Sequence, residues 1–555
     1  MKLTGADIVI ECMLEQGVDT VFGYPGGSIL NIYDSLYRYS DRITHILTSH
    51  EQGAAHAADG YARTSGKVGV VFATSGPGAT NLVTGIATAM MDSVPIVAIT
   101  CNVTTDLLGK DSFQEIDIVG VTTPITKHNF LVKSAEDIAP TIRRAFKIAR
   151  AGRPGPVLVD ITKDATGNMC EFEPEIQDTS VERKIESDEN AFKAAIELIE
   201  NAKRPLIYAG GGVIAAEAAE ELKRFRARID SPVTLSLMGL GAFPASDKAF
   251  TGMIGMHGTK TTSLAISECD LLIAVGARFS DRVTCNIQTF APNAKVLHID
   301  TDRAEIDKNV KTDHSIIGDA KLVLERLAKT VKQQHHDEWM NKIYEWEGEY
   351  PIHKPYDGVF TPQCIMETVN AAIGRDSIAT TDVGQHQMWA AQYLRHAKSR
   401  GFITSGGLGT MGFGYGAAIG AQMALGRDQR VVMFTGDGSF HMNLNEACTA
   451  VSYELPIITV IFNNSVLGMV RQWQTTFYGR RYSQTDPHRK TDFVKLAEGF
   501  GLKGYRCTNL PEFQAAFADA LKQKGPTWIE CIIDKDEKVL PMIPGGGDIN
   551  GIIMK

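Results

Sequence analysis

The sequence predicts an α/β protein with three doubly wound parallel-sheet domains. Short apolar runs, which are typical of buried strands, alternate with helical segments along most of the chain. At 555 residues the chain is too long for a single hydrophobic core. Two polar segments, 166–190 and 336–358, interrupt the alternation and are predicted to be linkers. We therefore expect domains at 1–165, 191–335 and 359–555.

The composition narrows the function classes. The chain is 44% hydrophobic and 22% charged, which is typical of globular proteins. Its net charge of −9, without a basic block, argues against nucleic-acid binding. No apolar run approaches the length of a membrane span, and residues 1–17 suit an amphipathic helix better than a signal peptide. The nine cysteines form no CxxC pair, which favours reduced thiols in the cytoplasm over a zinc site or a disulfide framework.

In the first predicted domain, Thr4 caps a helix that continues to Gln16. A glycine-rich loop, 23–27, follows the first strand, and two further helices are expected over 51–62 and 75–91. The predicted strands are 18–22, 43–47, 68–73 and 95–100, with a closing strand within 152–164.

The middle predicted domain repeats the alternation of strands and helices. Three glycines, Gly210 to Gly212, follow its first strand and could admit a nucleotide phosphate, although three glycines alone favour a tight turn. The predicted strands are 205–209, 233–237, 271–275 and 296–299.

In the third predicted domain, Thr361 starts a helix and residues 377–381 form a strand. A glycine-rich loop enters a helix over 405–422, which suits close backbone approach to a cofactor. Two buried strands, 431–434 and 457–462, flank a helix predicted over 439–453 with Ser439 as its cap.

Polar residues follow both of these last strands. Parallel strands end at the same edge of a sheet, so Asp437 and Asn464 are expected to lie close together, where open α/β sheets bind ligands. A carboxylate and an amide oxygen suit Mg²⁺, and Gly436 and Gly438 leave room for a phosphate. We interpret the unit as a Mg²⁺–diphosphate clamp. The alternative is an ordinary strand–helix–strand unit with a polar turn.

The sequence GDG followed some two dozen residues later by NN resembles the cofactor motif of thiamine-diphosphate enzymes. The resemblance implies that Asp437, Asn464 and the Val466 carbonyl bind Mg²⁺, and that all three domains have the thiamine-enzyme arrangement, with a pyrimidine-binding first domain, a Rossmann-like middle domain and a diphosphate-binding third domain. The residues that it assigns to thiamine diphosphate are Tyr24, Pro25, Gly26, Gly27, Glu51, Val383, Gly384, Gln385, His386, Gly409, Met411, Gly436, Asp437, Gly438, Ser439, Asn464, Gly468, Met469 and Val470.

Glu51 lies in the run HEQGAAHAADGYAR, residues 50–63, which resembles the segment that supplies the catalytic glutamate of thiamine enzymes. A carboxyl group hydrogen-bonded to the pyrimidine ring would promote loss of the thiazolium proton. The alternative is a glutamate that merely complements the dipole of its helix.

The segments KDSFQE, 110–115, and LGMVRQWQ, 467–474, resemble the acetolactate synthases, also called acetohydroxyacid synthases. The resemblance implies catalytic roles for Gln114 and Lys163. For residues 112–115 a simple helix start, capped by Ser112, is also possible. The residues that the resemblance places around the substrate are Phe113, Gln114, Met256, Arg282 and Trp473.

Segments 255–259, 276–282 and 298–302 resemble the FAD-binding middle domain of the biosynthetic acetolactate synthases. Ser280 departs from the usual aspartate of that family. The residues assigned to FAD are Arg153, Gly210, Gly211, Gly212, Gly255, Met256, His257, Gly276, Arg278, Arg282, Asp300 and Asp319.

The implied reaction is a two-carbon transfer. Pyruvate is decarboxylated on thiamine diphosphate, and the fragment condenses with pyruvate or 2-oxobutyrate to give 2-acetolactate or 2-aceto-2-hydroxybutyrate, the first common step of branched-chain amino-acid synthesis. The resemblance also implies a cytoplasmic homodimer or tetramer and the possibility of a small regulatory subunit. The alternatives are a catabolic, FAD-free acetolactate synthase, another thiamine enzyme such as pyruvate oxidase or decarboxylase, and a non-enzymatic paralogue.

Overall fold

The computed structural model describes residues 1–176, 178–374, 377–396, 398–548 and 551–555. Within these residues the chain forms three α/β units, each built on a six-stranded sheet whose strands are all parallel. The predicted fold class is therefore confirmed. Within the same residues, no helix combines the length and the apolar character that crossing a bilayer requires.

The first unit has the strand order β3-β2-β4-β5-β7-β6, and a short antiparallel pair, β1 and β8, joins its two ends. Its strands are β1 (Lys2–Thr4), β2 (Thr20–Gly23), β3 (Thr44–Leu47), β4 (Gly69–Ala73), β5 (Ile96–Asn102), β6 (His128–Val132), β7 (Val157–Thr162) and β8 (Met169–Glu171). Its helices are α1 (Gly5–Glu15), α2 (Leu30–Arg38), α3 (Glu51–Ser65), α4 (Pro77–Asn81), α5 (Val83–Asp92), α6 (Ile118–Thr122), α7 (Ile138–Arg150) and α8 (Lys163–Gly167).

The middle unit has the strand order β11-β10-β9-β12-β13-β14. Its strands are β9 (Pro205–Ala209), β10 (Val233–Leu235), β11 (Phe250–Met253), β12 (Leu271–Val275), β13 (Lys295–Asp300) and β14 (His314–Ile317). Its helices are α9 (Glu189–Asn201), α10 (Gly211–Ala215), α11 (Ala219–Ile229), α12 (Lys260–Glu268), α13 (Asp281–Thr284) and α14 (Ala320–Thr330), and α15 (Asp337–Glu349) packs against them.

The third unit has the strand order β16-β15-β17-β18-β20-β19. Its strands are β15 (Ile378–Thr381), β16 (Phe402–Ile403), β17 (Val431–Gly436), β18 (Ile458–Asn463), β19 (Lys503–Cys507) and β20 (Thr527–Ile532). Its helices are α16 (Pro362–Ile373), α17 (Gln385–Tyr393), α18 (Phe413–Leu425), α19 (Asp437–Phe440), α20 (Ala447–Ser452), α21 (Gly468–Phe477), α22 (Phe493–Phe500) and α23 (Leu510–Ala520). Across the described residues of all three units, short 3-10 helices span Thr105–Leu107, Thr123–Ile125, Leu237–Gly239, Ile287–Thr289, Arg303–Glu305 and Leu444–Glu446.

The first and third units pack through two helices rich in glycine and alanine, α3 and α18. A Cβ atom on Gly416 would lie 2.6 Å from the Gly53 carbonyl oxygen, and one on Gly420 would collide with the Ala57 carbonyl. The absence of side chains at these positions brings the two backbones into contact. This contact joins the helix that begins at Glu51 to the helix that follows the glycine-rich loop.

Two predicted helices are interrupted. The segment 439–453 forms α19, a 3-10 turn and α20 instead of one helix, because Asn443 leaves helical geometry and donates a hydrogen bond to the Gly412 carbonyl. Helix α19 already begins at Asp437, so the prediction that Ser439 is a cap is wrong. The segment 75–91 likewise forms α4 and α5, which meet at Leu82.

The segments predicted as linkers carry structure. Within 166–190, β8 pairs with the first strand of the chain. Within 336–358, α15 buries Trp339, Met340 and Ile343 against the middle unit. Both segments are polar overall, but each contributes a few apolar residues to a neighbouring unit.

Candidate functional site

A pocket lies at the carboxyl ends of β15, β17 and β18, the edge of the sheet where the sequence predicted the clamp. Its cavity volume is about 90 Å³, and it opens to solvent. The lining comes from the third unit and consists of Val383, Gly384, Gln385, His386, Trp389, Met411, Gly436, Asp437, Gly438, Ser439, Phe462, Asn464, Val466, Leu467, Gly468, Met469 and Val470. Every third-unit residue predicted to contact thiamine diphosphate lines this pocket, except Gly409.

Asp437 and Asn464 are neighbours in the pocket. Strands β17 and β18 pair in parallel register, which brings Gly436 opposite Phe462 and aligns the residues that follow. Burial raises the pKa of the Asp437 carboxyl to about 6, and a hydrogen bond from the Asn464 backbone N–H opposes this rise. Asp437 forms no direct ion pair with a basic side chain in the part of the chain that the structure describes, and such a buried carboxylate suits a bound cation. The donor set of carboxylate, amide and Val466 backbone therefore fits Mg²⁺.

His386 provides an independent indication of a polar ligand in the same pocket. Its ring lies between Gly384 and Gly436, and a Cβ on Gly436 would lie 2.8 Å from His386 Nδ1. Nε2 is buried without a hydrogen-bond partner among the described residues, and burial lowers the pKa of the ring to about 3, so the imidazole is neutral. An unpaired buried nitrogen in a pocket wall marks a place where a ligand can supply a hydrogen-bond partner. The pocket is therefore suited to a polar ligand beside the metal site.

Ser439 lies inside the first turn of α19 instead of capping it. Its hydroxyl accepts a long hydrogen bond from the Gly412 N–H, at 3.4 Å, and Asp382 accepts the same N–H at 2.7 Å. These bonds connect the glycine-rich loop to the turn that carries Asp437.

The first-unit residues predicted to contact the cofactor form a separate group. The Glu51 carboxylate accepts a hydrogen bond from Asn81 Nδ2 at 2.9 Å and lies beside Gly78. The loop of Tyr24, Pro25, Gly26 and Gly27 is tied to the next turn where Ser28 N–H donates to Thr74. Neither Glu51 nor this loop lines the third-unit pocket. The chain therefore carries the two predicted halves of the cofactor site at two different places.

The predicted catalytic residues Gln114 and Lys163 lie near the first group. Gln114 adopts a left-handed backbone conformation with φ of 59° and packs against Gly76. Phe113 is 88% exposed and does not line the third-unit pocket. Lys163 begins α8, beside Asn31. The predicted helix start at 112–115 is wrong: the segment is a turn in which the Glu115 carboxylate accepts the N–H of Ser112.

The remaining substrate residues, Met256, Arg282 and Trp473, meet at one point. An ideal Cβ on Gly545 would lie 3.6 Å from Trp473 Cη2, 3.7 Å from Arg282 Nη1 and 3.7 Å from Met256 Cε. The backbone N–H of Met256 donates to the Arg282 carbonyl, and Ile543 N–H donates to the Met256 carbonyl. The C-terminal segment thus closes a cluster whose members come from the middle and third units.

The residues predicted for FAD fall into two sets. The first set already contacts other protein residues. Arg153 pairs with Glu305 at 2.7 Å, and Asp319 caps α14 and pairs with Arg183. A Cβ on Gly212 would lie 2.6 Å from Gly276 Cα. The glycine turn is therefore occupied by packing between backbones. This packing accounts for Gly210, Gly212 and Gly276 without a phosphate.

The second set retains free hydrogen-bonding capacity. Nδ1 of His257 is buried without a partner among the described residues, and so is Nδ1 of His298, which was not predicted but precedes Asp300 in the same segment. Within those residues the Arg278 side chain forms no hydrogen bond or ion pair, and Arg282 pairs only with the exposed Asp281 at 3.5 Å. Gly255, Met256 and Asp300 lie at the same carboxyl edge of the middle sheet. This set fits an anionic nucleotide, whereas the first set does not need one.

Sequence reasoning missed Trp389, Phe462 and Leu467, which line the pocket, and two residues that support the site from outside it. Glu446 is fully buried, accepts the N–H groups of Ser49 and His50, and thereby holds the start of α3 next to Glu51. Burial raises its pKa. Gly545 lies in a run of three glycines near the C terminus. Such a run can indicate that other residues pack closely against the backbone, so a sequence signal for Gly545 existed. Glu446 had no local signal, because its partners lie about 400 positions earlier in the chain.

Comparison with known proteins identifies the family. Residues 3–121, 192–327 and 382–531 match the N-terminal TPP binding domain, the central domain and the C-terminal TPP binding domain of thiamine pyrophosphate enzymes. The chain is 47% identical to the acetolactate synthase large subunit of Parasynechococcus marenigrum, over 98% of this chain and 90% of the relative.

Two further relatives extend the match across distant organisms. The chain is 46% identical to a probable acetolactate synthase large subunit of Methanocaldococcus jannaschii, over 99% and 95% of the two chains. It is 44% identical to the acetolactate synthase isozyme 2 large subunit of Escherichia coli, over 100% of both. The chain therefore belongs to the acetolactate synthase large subunit family of thiamine pyrophosphate enzymes.

Proposed function

We propose that this chain is the catalytic subunit of an acetolactate synthase. It decarboxylates pyruvate and transfers the two-carbon fragment to a second pyruvate, giving 2-acetolactate, or to 2-oxobutyrate, giving 2-aceto-2-hydroxybutyrate. Family membership supports the reaction class. The observation that carries the assignment is the third-unit pocket, where Asp437 and Asn464 lie beside the unpaired Nε2 of His386.

Thiamine diphosphate, when bound, supplies a nucleophilic carbon and an electron sink for decarboxylation. Asp437, Asn464 and the Val466 carbonyl would hold Mg²⁺, which would in turn bind the diphosphate. The Glu51 carboxyl would hold a proton at the pyrimidine ring nitrogen and so assist loss of the thiazolium proton. Gln114 and Lys163 would act on the substrate at the same end of the first unit.

The cluster around Gly545 is suited to the acceptor 2-oxo acid. The Arg282 guanidinium is 64% exposed and can pair with a carboxylate. Trp473 and Met256 offer apolar surface beside it, which is where the methyl or ethyl group of the acceptor would lie. Phe113 and Gln114, supplied by another copy of the chain, would exclude water from the reacting atoms.

The test is product analysis. Purified protein is incubated with pyruvate, Mg²⁺ and thiamine diphosphate, and the products are identified by NMR, with parallel reactions that lack the cofactor or contain 2-oxobutyrate. We expect 2-acetolactate, and 2-aceto-2-hydroxybutyrate when 2-oxobutyrate is present. Acetaldehyde or acetyl phosphate as the main product would instead indicate a decarboxylase or an oxidase. No cofactor-dependent turnover would contradict the proposal.

We propose that the working unit contains at least two copies, with the Glu51 half of one copy facing the Asp437 half of the other. This is supported by the separation of the two groups and by the exposed Phe113. The test mixes inactive Glu51→Gln and Asp437→Ala proteins after reversible dissociation. A site shared between copies restores about a quarter of the parent activity, because half of the random dimers carry one intact site. No recovery, with mixed dimers demonstrated, would contradict sharing.

We further propose that FAD binds the middle unit without redox turnover, since two 2-oxo acids yield an acetohydroxy acid and CO₂ with no external electron acceptor. The unpaired nitrogens of His257 and His298 and the cations of Arg278 and Arg282 support this proposal. The protein is denatured and the visible spectrum of the supernatant recorded. Absence of flavin, with full activity in flavin-free buffer, would favour the catabolic type of acetolactate synthase.

A small regulatory subunit and a cytoplasmic location complete the proposal. The relatives are named large subunits, which supports a smaller partner. A reducing compartment would preserve the nine thiols. Affinity purification of the tagged chain from its source cells would test the partner, and a stoichiometric small protein that alters activity is expected.

A further inference from the structure

The loop 404–412 of the third unit carries Gly409 and Met411, two residues proposed to contact the cofactor, and Met411 lines the pocket. Its far end is held within its own unit, where the Gly412 N–H donates to Asp382 at 2.7 Å. Its near end, by contrast, is held by the first unit and packed by the middle unit. A Cβ on Gly406 would collide with the Met238 side chain. Residues of all three units therefore meet at this loop.

Asp92, the last residue of α5 in the first unit, is the central contact of the near end. Its side chain is fully buried. One carboxylate oxygen accepts the Gly407 N–H at 2.7 Å, and the other accepts the Gly406 N–H at 3.1 Å. The second oxygen also accepts Arg63 Nη2 at 2.9 Å. A Cβ on Gly407 would lie 2.8 Å from Asp92, so the absence of a side chain permits this approach.

Arg63, in the last turn of α3, links Asp92 to further residues of the first unit and of the third unit. It forms a two-point ion pair with buried Asp59, at 2.5 and 3.2 Å, and donates to the Thr404 carbonyl at 3.0 Å. Its guanidinium carbon lies 5.4 Å from the centre of the Phe413 ring, at the start of α18. The cation thus touches the residues on both sides of the loop.

The cluster carries more negative than positive charge. Two buried carboxylates, Asp59 and Asp92, share the single guanidinium of Arg63. Asp59 has the two-point pair, so Asp92 depends on the two loop N–H groups for the rest of its hydrogen bonding. A buried hydrogen bond between Thr88 and Thr410 hydroxyls, at 2.7 Å, adds a second link from α5 to the loop.

We infer that Asp92 is a positioning residue for the cofactor site: it holds loop 404–412 of the third unit from the first unit, and so sets the place of Gly409 and Met411. It acts through the loop and touches neither cofactor nor substrate. The inference rests on the proposed binding of thiamine diphosphate in the third-unit pocket.

The test compares Asp92→Asn and Asp92→Ala with the parent protein. For each, hydrogen–deuterium exchange is followed in peptides that cover 404–412, the Kd for thiamine diphosphate is measured by calorimetry in excess Mg²⁺, and the Tm is recorded. We expect faster exchange in this loop and a Kd about 10- to 100-fold higher for Asp92→Ala, as the loss of two hydrogen bonds to a carboxylate implies. Asn retains one acceptor, so Asp92→Asn should lie between the alanine variant and the parent.

The matched control is Glu15→Gln, which weakens another buried ion pair of the first unit, with Arg143, at 2.9 Å and distant in sequence from the loop. It should lower the Tm to a similar extent but leave the exchange of 404–412 and the Kd at parent values. A Kd within twofold of the parent in folded Asp92→Ala, or equal weakening in the control, overturns the inference. Faster exchange with an unchanged Kd also overturns it.

If Asp92→Ala fails to fold, Gly407→Ala perturbs the same contact from the loop side, since its methyl group would press on Asp92 and on the Met91 carbonyl. It should raise the Kd while the control does not, and an unchanged Kd overturns the inference. Failure of the parent protein to bind thiamine diphosphate at all would refute the proposed function itself, which the parent titration shows separately.

Discussion

The first and third units share one scaffold and carry different chemistry. Counted within each unit, both sheets have the strand order 2-1-3-4-6-5, and the helix after the second strand of one, α3, packs against its equivalent in the other, α18. In the first unit a carboxylate, Glu51, follows the second strand. In the third unit that position holds a glycine-rich loop, and the carboxylate, Asp437, follows the third strand.

The comparison shows that the shared topology supplies a ligand-binding edge, whereas the residues at that edge determine which chemistry it can support. In both units, parallel strands bring their carboxyl ends to one edge, which is suited to ligand binding. The third unit brings its acid, Asp437, and the amide of Asn464 to that edge, whereas the first unit presents Glu51 at the start of a long helix. We expect the two acids to differ in role, one holding a metal and the other assisting proton transfer.

The largest expected effect follows from removing the acid of the third unit. Asp437→Ala deletes the anionic metal ligand, so Mg²⁺-dependent retention of thiamine diphosphate should be abolished, as measured by gel filtration with limiting cofactor. Asp428→Ala, an exposed acid before the amino end of the same strand, is the control and should retain cofactor. Normal cofactor retention in the Asp437 variant would contradict the proposal that Asp437 holds the metal.

The acid of the first unit should affect rate and spare binding. Glu51→Gln keeps the shape of the side chain but cannot exchange a proton, so hydrogen–deuterium exchange at the thiazolium carbon should slow by about 10²–10⁴-fold. Bound cofactor, measured in parallel, should stay near the parent level. Unchanged exchange in the variant would show that Glu51 only complements its helix.

A smaller effect is expected in the pH dependence of Mg²⁺ binding at Asp437. Burial raises the pKa of Asp437 to about 6, so below that pH Mg²⁺ must displace a proton from the carboxyl. The apparent Mg²⁺ affinity should therefore fall about tenfold for each pH unit below 6 and level off above it. Calorimetric titrations from pH 5 to 8 test this, and a flat profile would argue against Asp437 as a ligand.

The same raised pKa has a consequence for the metal-free protein. A carboxyl group that is protonated more readily when folded stabilises the fold at low pH and loses that contribution as the pH rises from about 4 to 6. Saturating Mg²⁺ should remove this loss, which thermal unfolding with and without the ion would detect.

The smallest expected effect concerns the cluster shared by the middle and third units. Trp473→Leu enlarges the space around Gly545, whereas Gly545→Ala fills it, since its methyl group would lie in ordinary contact at 3.6–3.7 Å. Discrimination between 2-oxobutyrate and pyruvate should change in opposite directions, each by up to about tenfold, because one methylene is worth about 1–3 kcal/mol in an apolar pocket. Unaltered product ratios in competition experiments would place the acceptor elsewhere.

Much of the fold was predictable because its signals are local. Strands 205–209 and 271–275 have the predicted bounds, and Thr4 and Thr361 cap helices as expected. The strands that were missed are β1, β6, β8, β11, β14, β16, β19 and β20. The edge strands β16 and β19 show why: two residues, or a sequence such as KGYRC, carry too little apolar signal to separate them from loops.

In the candidate site, too, some contacts were predictable from local sequence signals and others were not. The sequence by itself determined that Asp437 and Asn464 meet, because strand, helix and strand in order leave few parallel arrangements and pair neighbouring carboxyl ends. Only the tertiary structure decided that Glu446 holds the start of α3, that Asp92 holds the glycine-rich loop, and that Trp473, Arg282 and Met256 surround Gly545. These contacts join residues hundreds of positions apart. They depend on how whole units pack and on which buried charges are left to be satisfied, which no local pattern of residues encodes.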